Sequence, residues 1–528
     1  MAVLVIHLSD NSVGAGVAVS IGQNFTGSSV LNEAANPSGA ASEDYFVELN
    51  QIWFAVYSKA DGSQVQLLDG RDFWTQAGFA LPNPLYGAGP RLVYDPTVQR
   101  WFAAESLWRN ADRTTARLYL AVSATADPTG PWNGVSFPES PGANNGFNVT
   151  YLGLDAQGVY VSAAVWPTNY VTAVVPVGTA LWSLPKADLL AIPPVITNRT
   201  SFGQLHPTSQ GYDLVPAICL DGQAGGDVLA TGSTGVDPMT GNPETNNTLV
   251  ASAILNGGGP GVATLGATQI VIVPPYTEPI NYALQPDGST DLVDWDASFT
   301  ASVYRVGDVL FAAHALQYGP RVAVRWYRIS AANHTVLESG TITDPSLDFY
   351  FPSIAANTNG TVVLAFNGSG SNSNAFVNCY AMVGQTVNGF TTFGTNLLLH
   401  AGSASYQSPD ATGFSDWGAY STTCVDPTDP NIFWTINAYA AGPTTAATQI
   451  TQLLTSPSPR LSVAHTGGNL LLSWPVTVVP FALQSAPSLA ASGSGSWSPV
   501  AQSPRTNGTT VSVLVPATNT VAFFRLVH

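Results

Sequence analysis

Seven times along this chain an apolar, β-branched stretch runs into a turn and returns as a second apolar stretch. The first stretches read Tyr45-Asn50, Arg91-Tyr94, Tyr151-Asp155, Leu214-Leu220, Phe299-Arg305, Phe351-Asn357 and Gly418-Val425, unevenly spaced by roughly 46 to 85 residues. Short apolar runs bounded by turn residues are strand signals. The turns are Asp95-Pro96, Asp155 to Gly158, Asp221-Gly222, Gly307-Asp308, Asn359-Gly360 and Asp426-Pro427, where Gly, Asn and Asp tolerate the backbone angles required. Answering strands include Trp101-Ala104, Val159-Ala164, Val309-Ala313, Thr361-Phe366 and Ile432-Asn437. Repeats of about four strands each are the mark of propeller blades. The pattern therefore predicts an all-β chain, a seven-bladed β-propeller followed by a small β-sandwich. Six blades is the alternative, if Tyr45-Leu67 is only a hairpin extension. Ala2-His7 and Val13-Ser20 are expected to join the last blade or pack beside it, because the end blades would otherwise expose their edges.

One boundary is visible. Ser456-Pro457-Ser458-Pro459 breaks the repeat and favours an extended connection. The organisation expected is residues 1–455 as propeller, 456–460 as linker and 461–528 as sandwich. Leu470-Trp474, Phe481-Ser485, Thr510-Val515 and Ala522-Val527 would be strands of the sandwich, with Trp474, Trp497 and Phe524 in its core.

Composition narrows the partners. Charged residues are 9% of the chain, and 49 glycines and 38 prolines leave little room for helix, Lys186-Leu190 being the one modest helical candidate. The net charge of −17, with Lys59 and Lys186 the only lysines, makes nucleic acid and anionic membrane surfaces poor partners. No stretch approaches the ~20 apolar residues of a membrane span. The opening Ala2-Leu8 is too short for a secretory leader, so any such signal is expected to be removed or never present. Cys219, Cys379 and Cys424 read as small buried apolar residues, since Cys219 and Cys424 occupy equivalent places in separate blades. Sequons such as Asn24, Asn148 and Asn246 mark loops that could be exposed.

A resemblance is carried by Arg91 to Thr97, Arg100 to Ala103, Leu120 to Ser123 and Ala126 to Trp132, and by Val303-Tyr304-Arg305, Val324 to Tyr327, Tyr350 to Ile354 and Val425 to Pro430. Over about residues 40–440 the chain resembles the secreted bacterial β-propeller proteins. The tail, with Leu472-Ser473-Trp474-Pro475, Phe481 to Ser485 and Phe523 to Leu526, is similar to the C-terminal immunoglobulin-like modules of exported Verrucomicrobia-type proteins. These resemblances imply a secreted or cell-surface location, and no single chemistry. Two positions depart from the pattern. Asp416 to Tyr420 stands where Arg-Trp-Gly-Asp-Tyr is usual, and Gly89 replaces an Asp before proline. Thr125 to Trp132 is similar to the Asp-box of sialidases, a turn staple between outer strands, with one residue too many before its Gly.

Candidate chemistry gathers just before the first strands. Glu43-Asp44-Tyr45, Tyr212-Asp213, Asp294-Trp295-Asp296, Asp348-Phe349-Tyr350 and Asp416-Trp417 place a carboxylate beside an aromatic ring in five blades of seven. In a propeller these residues converge on one axial face. One explanation is structural, Asp bonding loop amides while aromatics plug gaps between blades. The other is a polar cleft with stacking platforms, suited to a carbohydrate. On that basis Asp44, Asp294, Asp296 and Asp416 are the candidate acid and base residues. Arg91, Tyr212, Trp295, His314, Tyr350, Trp417 and Tyr420 are the candidate ligand contacts. Asp213, Asp294 and Asp416 are the candidate ligands of calcium, which takes six to eight oxygens. The seven scattered histidines show no zinc spacing, and His314 reads either as a satisfied structural residue or as a groove residue.

Two functions follow. The first is an exported glycan-binding or surface-interaction propeller, monomeric, with a glycan or cell-surface ligand. The second is a polysaccharide-active enzyme, a glycoside hydrolase with carboxylates roughly 5 to 9 Å apart, or a lyase using His314 with Arg91 or Tyr420. Binding is favoured, because no pair of acids stands out from the ring.

Overall fold

The computed structural model describes residues 17–527 apart from 82–85, 110–114, 138–140, 143, 169–174, 238, 260, 281–282, 291–296, 409–414, 416, 458, 460, 489–496 and 518–521. The chain is nearly all β. Helix among the described residues is confined to Gly70–Gln76, Lys186–Leu189 and Pro207–Gln210. Lys186–Leu189 is the single turn expected from the sequence.

The strands form antiparallel four-strand units, of which seven can be followed among the described residues. Unit one is Ser38–Ala41, Tyr45–Leu49, Trp53–Ser58 and Gln64–Asp69. The next five begin with Tyr86–Asp95, Asn145–Leu154, Tyr212–Cys219, Val303–Val306 and Asp348–Ala356. Unit seven takes Thr422–Val425, Ile432–Gly442 and Thr445–Pro457 from the end of the repeat, and its outer strand, Val17–Leu31, from the beginning. The expected strand Val13-Ser20 thus meets the last sheet over Val17 to Ser20, whereas Ala2-His7 lies outside the described residues. Ser456 and Pro457, expected in a linker, continue the strand Thr445–Pro457 and pair with Ala18 and Val17.

First strands touch in sequence order, and the first strand of unit seven touches that of unit one, so the contacts close into a ring. Between units three, four and five these strands also pair in parallel, Leu154 with Ile218 and Ala217 with Val303. The approach is close enough that a Cβ on Gly153 would stand 2.6 Å from the Ala217 carbonyl.

The inner strands of each unit are buried on both faces, which is why they read as near-continuous apolar runs. Leu49, Phe54 and Trp74 of unit one meet Leu92, Trp101 and Ala103 of unit two. Tyr160 and Leu181 of unit three meet Leu214 and Val228 of unit four. Cys424, Trp434 and Ile436 of unit seven return to Phe46, Ala55 and Tyr57 of unit one. Trp101, Tyr327 and Trp434 are core, and all three cysteines are buried and free.

The turn that ends each first strand does more than reverse the chain. Asp155 accepts the Gln157 and Gly158 amides on Oδ1, both at 2.7 Å, while Oδ2 takes the Tyr160 hydroxyl and the Gly225 amide of unit four at 2.8 Å. Asp221 likewise holds Gln223 of its own turn and the Gly307 amide of unit five. Asn357 caps its turn with Oδ1 and donates Nδ2 to the Pro430 carbonyl of unit seven. Both lysines of the chain serve this end: Lys186 of unit three reaches Asp95 of unit two at 2.5 Å, and Lys59 of unit one reaches Asp426 of unit seven at 2.7 Å. The seam between units seven and one is closed a second time at Glu48. Its buried carboxylate accepts the Ser28 amide and hydroxyl, Asn50 Nδ2, Tyr57 Oη and Thr448 Oγ1.

The tail forms two further sheets. Ser462–Thr466, Asn469–Pro475, Arg505–Asn507 and Thr510–Pro516 make one, and Ala482–Ala486, Ser498–Pro499 and Phe523–Val527 the other. They share a core of Leu470, Leu472, Trp474, Leu483, Val513 and Phe524. Trp497, expected in that core, is half-buried with the Arg525 guanidinium 4.5 Å from its ring.

Lys186→Met should lower the unfolding free energy by about 3 kcal/mol in urea titrations, because it leaves the Asp95 carboxylate buried and unpaired. Asp95→Asn in the same chain should recover part of that loss.

Candidate functional site

The two ends of the ring differ. At the trailing end the turns of units two, three, four, six and seven are latched as described. At the leading end the first strands are bulged. Register slips fall between Ala88 and Arg91, Phe147 and Thr150, Tyr212 and Val215, and Tyr350 and Ser353. Asn36, Gly89, Asp213, Phe351 and Gly418 take positive φ there. Gly89 is required: at φ +64 a Cβ would stand 2.2 Å from the Thr150 amide, so the Asp usual in the resembled proteins has no space here.

Two residues after Gly89, Arg91 crosses to the middle of the ring. Its Nε donates to the Thr150 carbonyl of unit three at 2.8 Å, and an Nη to the Thr300 carbonyl, just ahead of unit five, at 2.9 Å. The guanidinium carbon lies 4.8 Å from the Tyr151 ring centre and 4.3 Å from that of Tyr420, which precedes unit seven. Only a side chain at the axis can reach units three, five and seven from unit two. Arg91 is 3% exposed, and burial pulls its pKa below the usual value. No carboxylate forms an ion pair with it among the described residues.

The segment 297–300 is the hub of this end. The Ala297 amide donates to the Thr234 carbonyl, Ser298 holds the Asp213 carboxylate, and the Phe299 carbonyl accepts the Tyr151 hydroxyl at 2.8 Å. Asp213 is buried at φ +51, and burial pushes its carboxyl up to about 6 against the Ser298 hydrogen bond. Tyr212 beside it is half-buried, its hydroxyl raised by burial and by Glu244.

Several expected site residues are elsewhere. Asp44 precedes the second strand of unit one, because Ser38–Ala41 is the true first strand. It therefore lies at the trailing end, where with Glu43 and Asp95 it acts on Tyr94, and does not join Asp213. His314 is fully buried: burial lowers its pKa to about 4, so the ring is neutral, Nδ1 donating to the Ala297 carbonyl and Nε2 accepting the Tyr327 hydroxyl at 3.0 Å. It positions the hub and faces no groove. Tyr350 is buried with its hydroxyl on Ser369, and Trp417 is buried with its indole nitrogen on Asn367 and its ring edge-on to Tyr406. Asp348, in the same ring of acids, is taken up by the Val322 and Leu284 amides and Arg321. Asp294, Trp295, Asp296 and Asp416 lie outside the described residues. Arg91, Asp213 and Tyr420 are brought to the leading end, with Tyr212 beside Asp213. Tyr151, Ser298 and Thr300 are site residues that the sequence reading missed. Their signal was positional: a lone axial arginine needs acceptors from the strands opposite it.

The Asp213→Asn variant should flatten part of the pH dependence of stability. A carboxyl whose folded pKa is raised favours the fold at low pH, and that contribution is lost as pH rises from about 4 through about 6. Midpoints of thermal unfolding between about pH 4 and 7 check this, the wild type losing more than the variant.

No protein-family model and no curated protein matches the chain. Among solved structures it is similar to a protein of unknown function from Dyadobacter fermentans, at 12% identity over 82% of this chain and 96% of that one, with a TM-score of 0.32. It is also similar to the extracellular domains of Drosophila semaphorin 1b, at 6% identity over 82% and 88%, TM-score 0.37. A third is an exo-1,5-α-L-arabinanase from a bovine ruminal metagenomic library, at 9% identity over 69% and 97%, TM-score 0.30. At these scores the fold is read from the sheet topology itself.

Proposed function

We propose that this chain is an exported carbohydrate-binding or surface-interaction protein, a seven-bladed β-propeller that takes its ligand at the leading, axial face and carries an immunoglobulin-like sandwich as an accessory. The closed cycle of first strands and the shared seventh sheet support seven blades over six. One observation carries the functional reading: Arg91 stands at the axis between Tyr151 and Tyr420, and the hub that accepts its hydrogen bond also holds Asp213. Donors and an acceptor at one end of the ring suit a ligand rich in hydroxyls. The partner is a glycan or a cell-surface molecule. The net charge of −17 argues against nucleic acid, and no helix among the described residues is long and apolar enough to cross a membrane. We take the protein as a secreted monomer.

A second reading is favoured by Asp213 alone. A carboxyl held near pH 6 is a competent general acid. Paired with Asp294, Asp296 or Asp416 it would make the same face a glycoside hydrolase site. Calcium, the cation expected from the sequence, would draw on Asp213, Asp294 and Asp416. Among the described residues no three His, Cys, Asp or Glu side chains gather.

Glycan-array binding run beside a reducing-end assay on mixed polysaccharides separates the two readings. Binding without new reducing ends supports the first. Turnover that falls at least 100-fold in Asp213→Asn supports the second. Neither binding nor turnover would remove the axial site from consideration. Calcium should raise the melting midpoint of the wild type and lose that effect in the same variant.

For the tail, a chain ending after Pro459 should keep the propeller's thermal transition nearly unchanged, because the two tail sheets bury their own core. Aggregation of that truncated chain would show that the sandwich completes the propeller core.

A further inference from the structure

We infer that the axial site recognises an acidic group on its ligand, a carboxylate or a sulfate, and that Arg91 is the residue that meets it. This rests on the axial glycan site proposed above and adds the chemical class of the sugar.

Buried cations elsewhere in the described structure show what is missing at Arg91. Lys186 is paired with Asp95, and Arg328 with Glu338. Arg325 has no acid but spreads its bonds over Thr341, Pro274 and Pro275 in an inter-unit seam. Arg91 gives one N–H to Thr150 and one to Thr300. Its other three N–H groups, two on one terminal nitrogen and one on the other, have no acceptor among the described residues. The Tyr151 and Tyr420 rings cover its faces, so what remains for a ligand is the edge that carries those donors. A planar guanidinium edge matches two oxygens of a carboxylate or sulfate. No carboxylate among the described residues compensates the charge, and in a site shielded from water that favours an anion more strongly than it favours a hydroxyl.

The rest of the protein sharpens the selectivity. With 33 acidic residues against 16 basic, the molecule repels free anions at long range. The acid must therefore arrive on a sugar chain whose hydroxyls are held by neighbouring groups. Simple salts should bind poorly, and acidic oligosaccharides well.

The test is calorimetric titration of the full chain with oligogalacturonate, with its methyl ester, and with a sulfated neutral oligosaccharide. The acid should bind at least about 10-fold more tightly than its ester, as expected for a charge-assisted hydrogen bond. In Arg91→Met that ratio should fall to near one. Arg91→Lys, which keeps the charge without the planar edge, should lose most of the preference and provides a second variant if the first does not fold. Stronger binding of the sulfated sugar than of the uronate also supports the inference and assigns sulfate as the acid. Equal affinity for acid and ester in the wild type, with the sulfated sugar no better, overturns the inference and leaves the glycan site standing. Failure of every glycan to bind overturns both.

Discussion

Much of this molecule depends on how a single carboxylate divides its two oxygens. At the trailing end of the ring, one oxygen of Asp155 or Asp221 closes its own hairpin and the other takes an amide of the next unit. A four-strand sheet cannot bury both faces alone, so each unit needs its neighbours in register. The apolar seams supply area without direction. The shared carboxylate supplies direction, since it is satisfied only when turn and neighbour stand at one spacing. Asp95 and Asp426 reach their neighbours through lysine instead, and the chain spends both of its lysines there.

A ring built this way has one vulnerable seam, where the last unit meets the first. The outer strand of unit seven comes from the other end of the chain, so closure requires contacts across 400 residues or more, as between Glu48 and Thr448 or Asn24 and Gln449. Five hydrogen bonds on Glu48 make burial of that charge tolerable, because every displaced water is replaced by a protein donor. The same bonds tie the outer strand, the third strand of unit seven and the second strand of unit one into one network.

Much of the fold was legible because sheets buried on both faces leave long apolar runs, and turns need Gly, Asn or Asp. The first strand of unit one was not, because Ser38–Ala41 is Ser-Gly-Ala-Ala and carries no apolar signal. Its neighbour Tyr45–Leu49 carries the apolar signal instead, and a one-strand shift of that kind places Asp44 at the opposite end of the ring. A better marker was present: Asn36-Pro37, Gly89-Pro90 and Phe351-Pro352 all combine a positive φ with a following proline at the leading end. At the site, Arg91, Asp213 and Tyr420 were legible as polar or aromatic residues leading into first strands. Tyr350 and Trp417 fit the same pattern but fill the interior, a distinction that a strand period of two cannot make when both faces are buried. The Ala297 carbonyl and the His314 ring that holds it were not legible as a hub, because backbone acceptors leave no mark in a sequence.

The difference between the two ends bears on where a ligand would act. Trailing turns are satisfied by their own side chains and by the next unit, and have little left to offer. The leading end holds Phe351 at φ +49, a conformation unfavourable for residues other than Gly, Asn or Asp, although the turns at Gln99 and His334 share it. Such strain persists only where surrounding structure imposes it. At this end it coincides with a carboxyl raised by burial and a guanidinium that has no acid partner among the described residues. Stabilising interactions gathered at one end let the other keep polar groups partly unsatisfied, and such groups are what a ligand can complete.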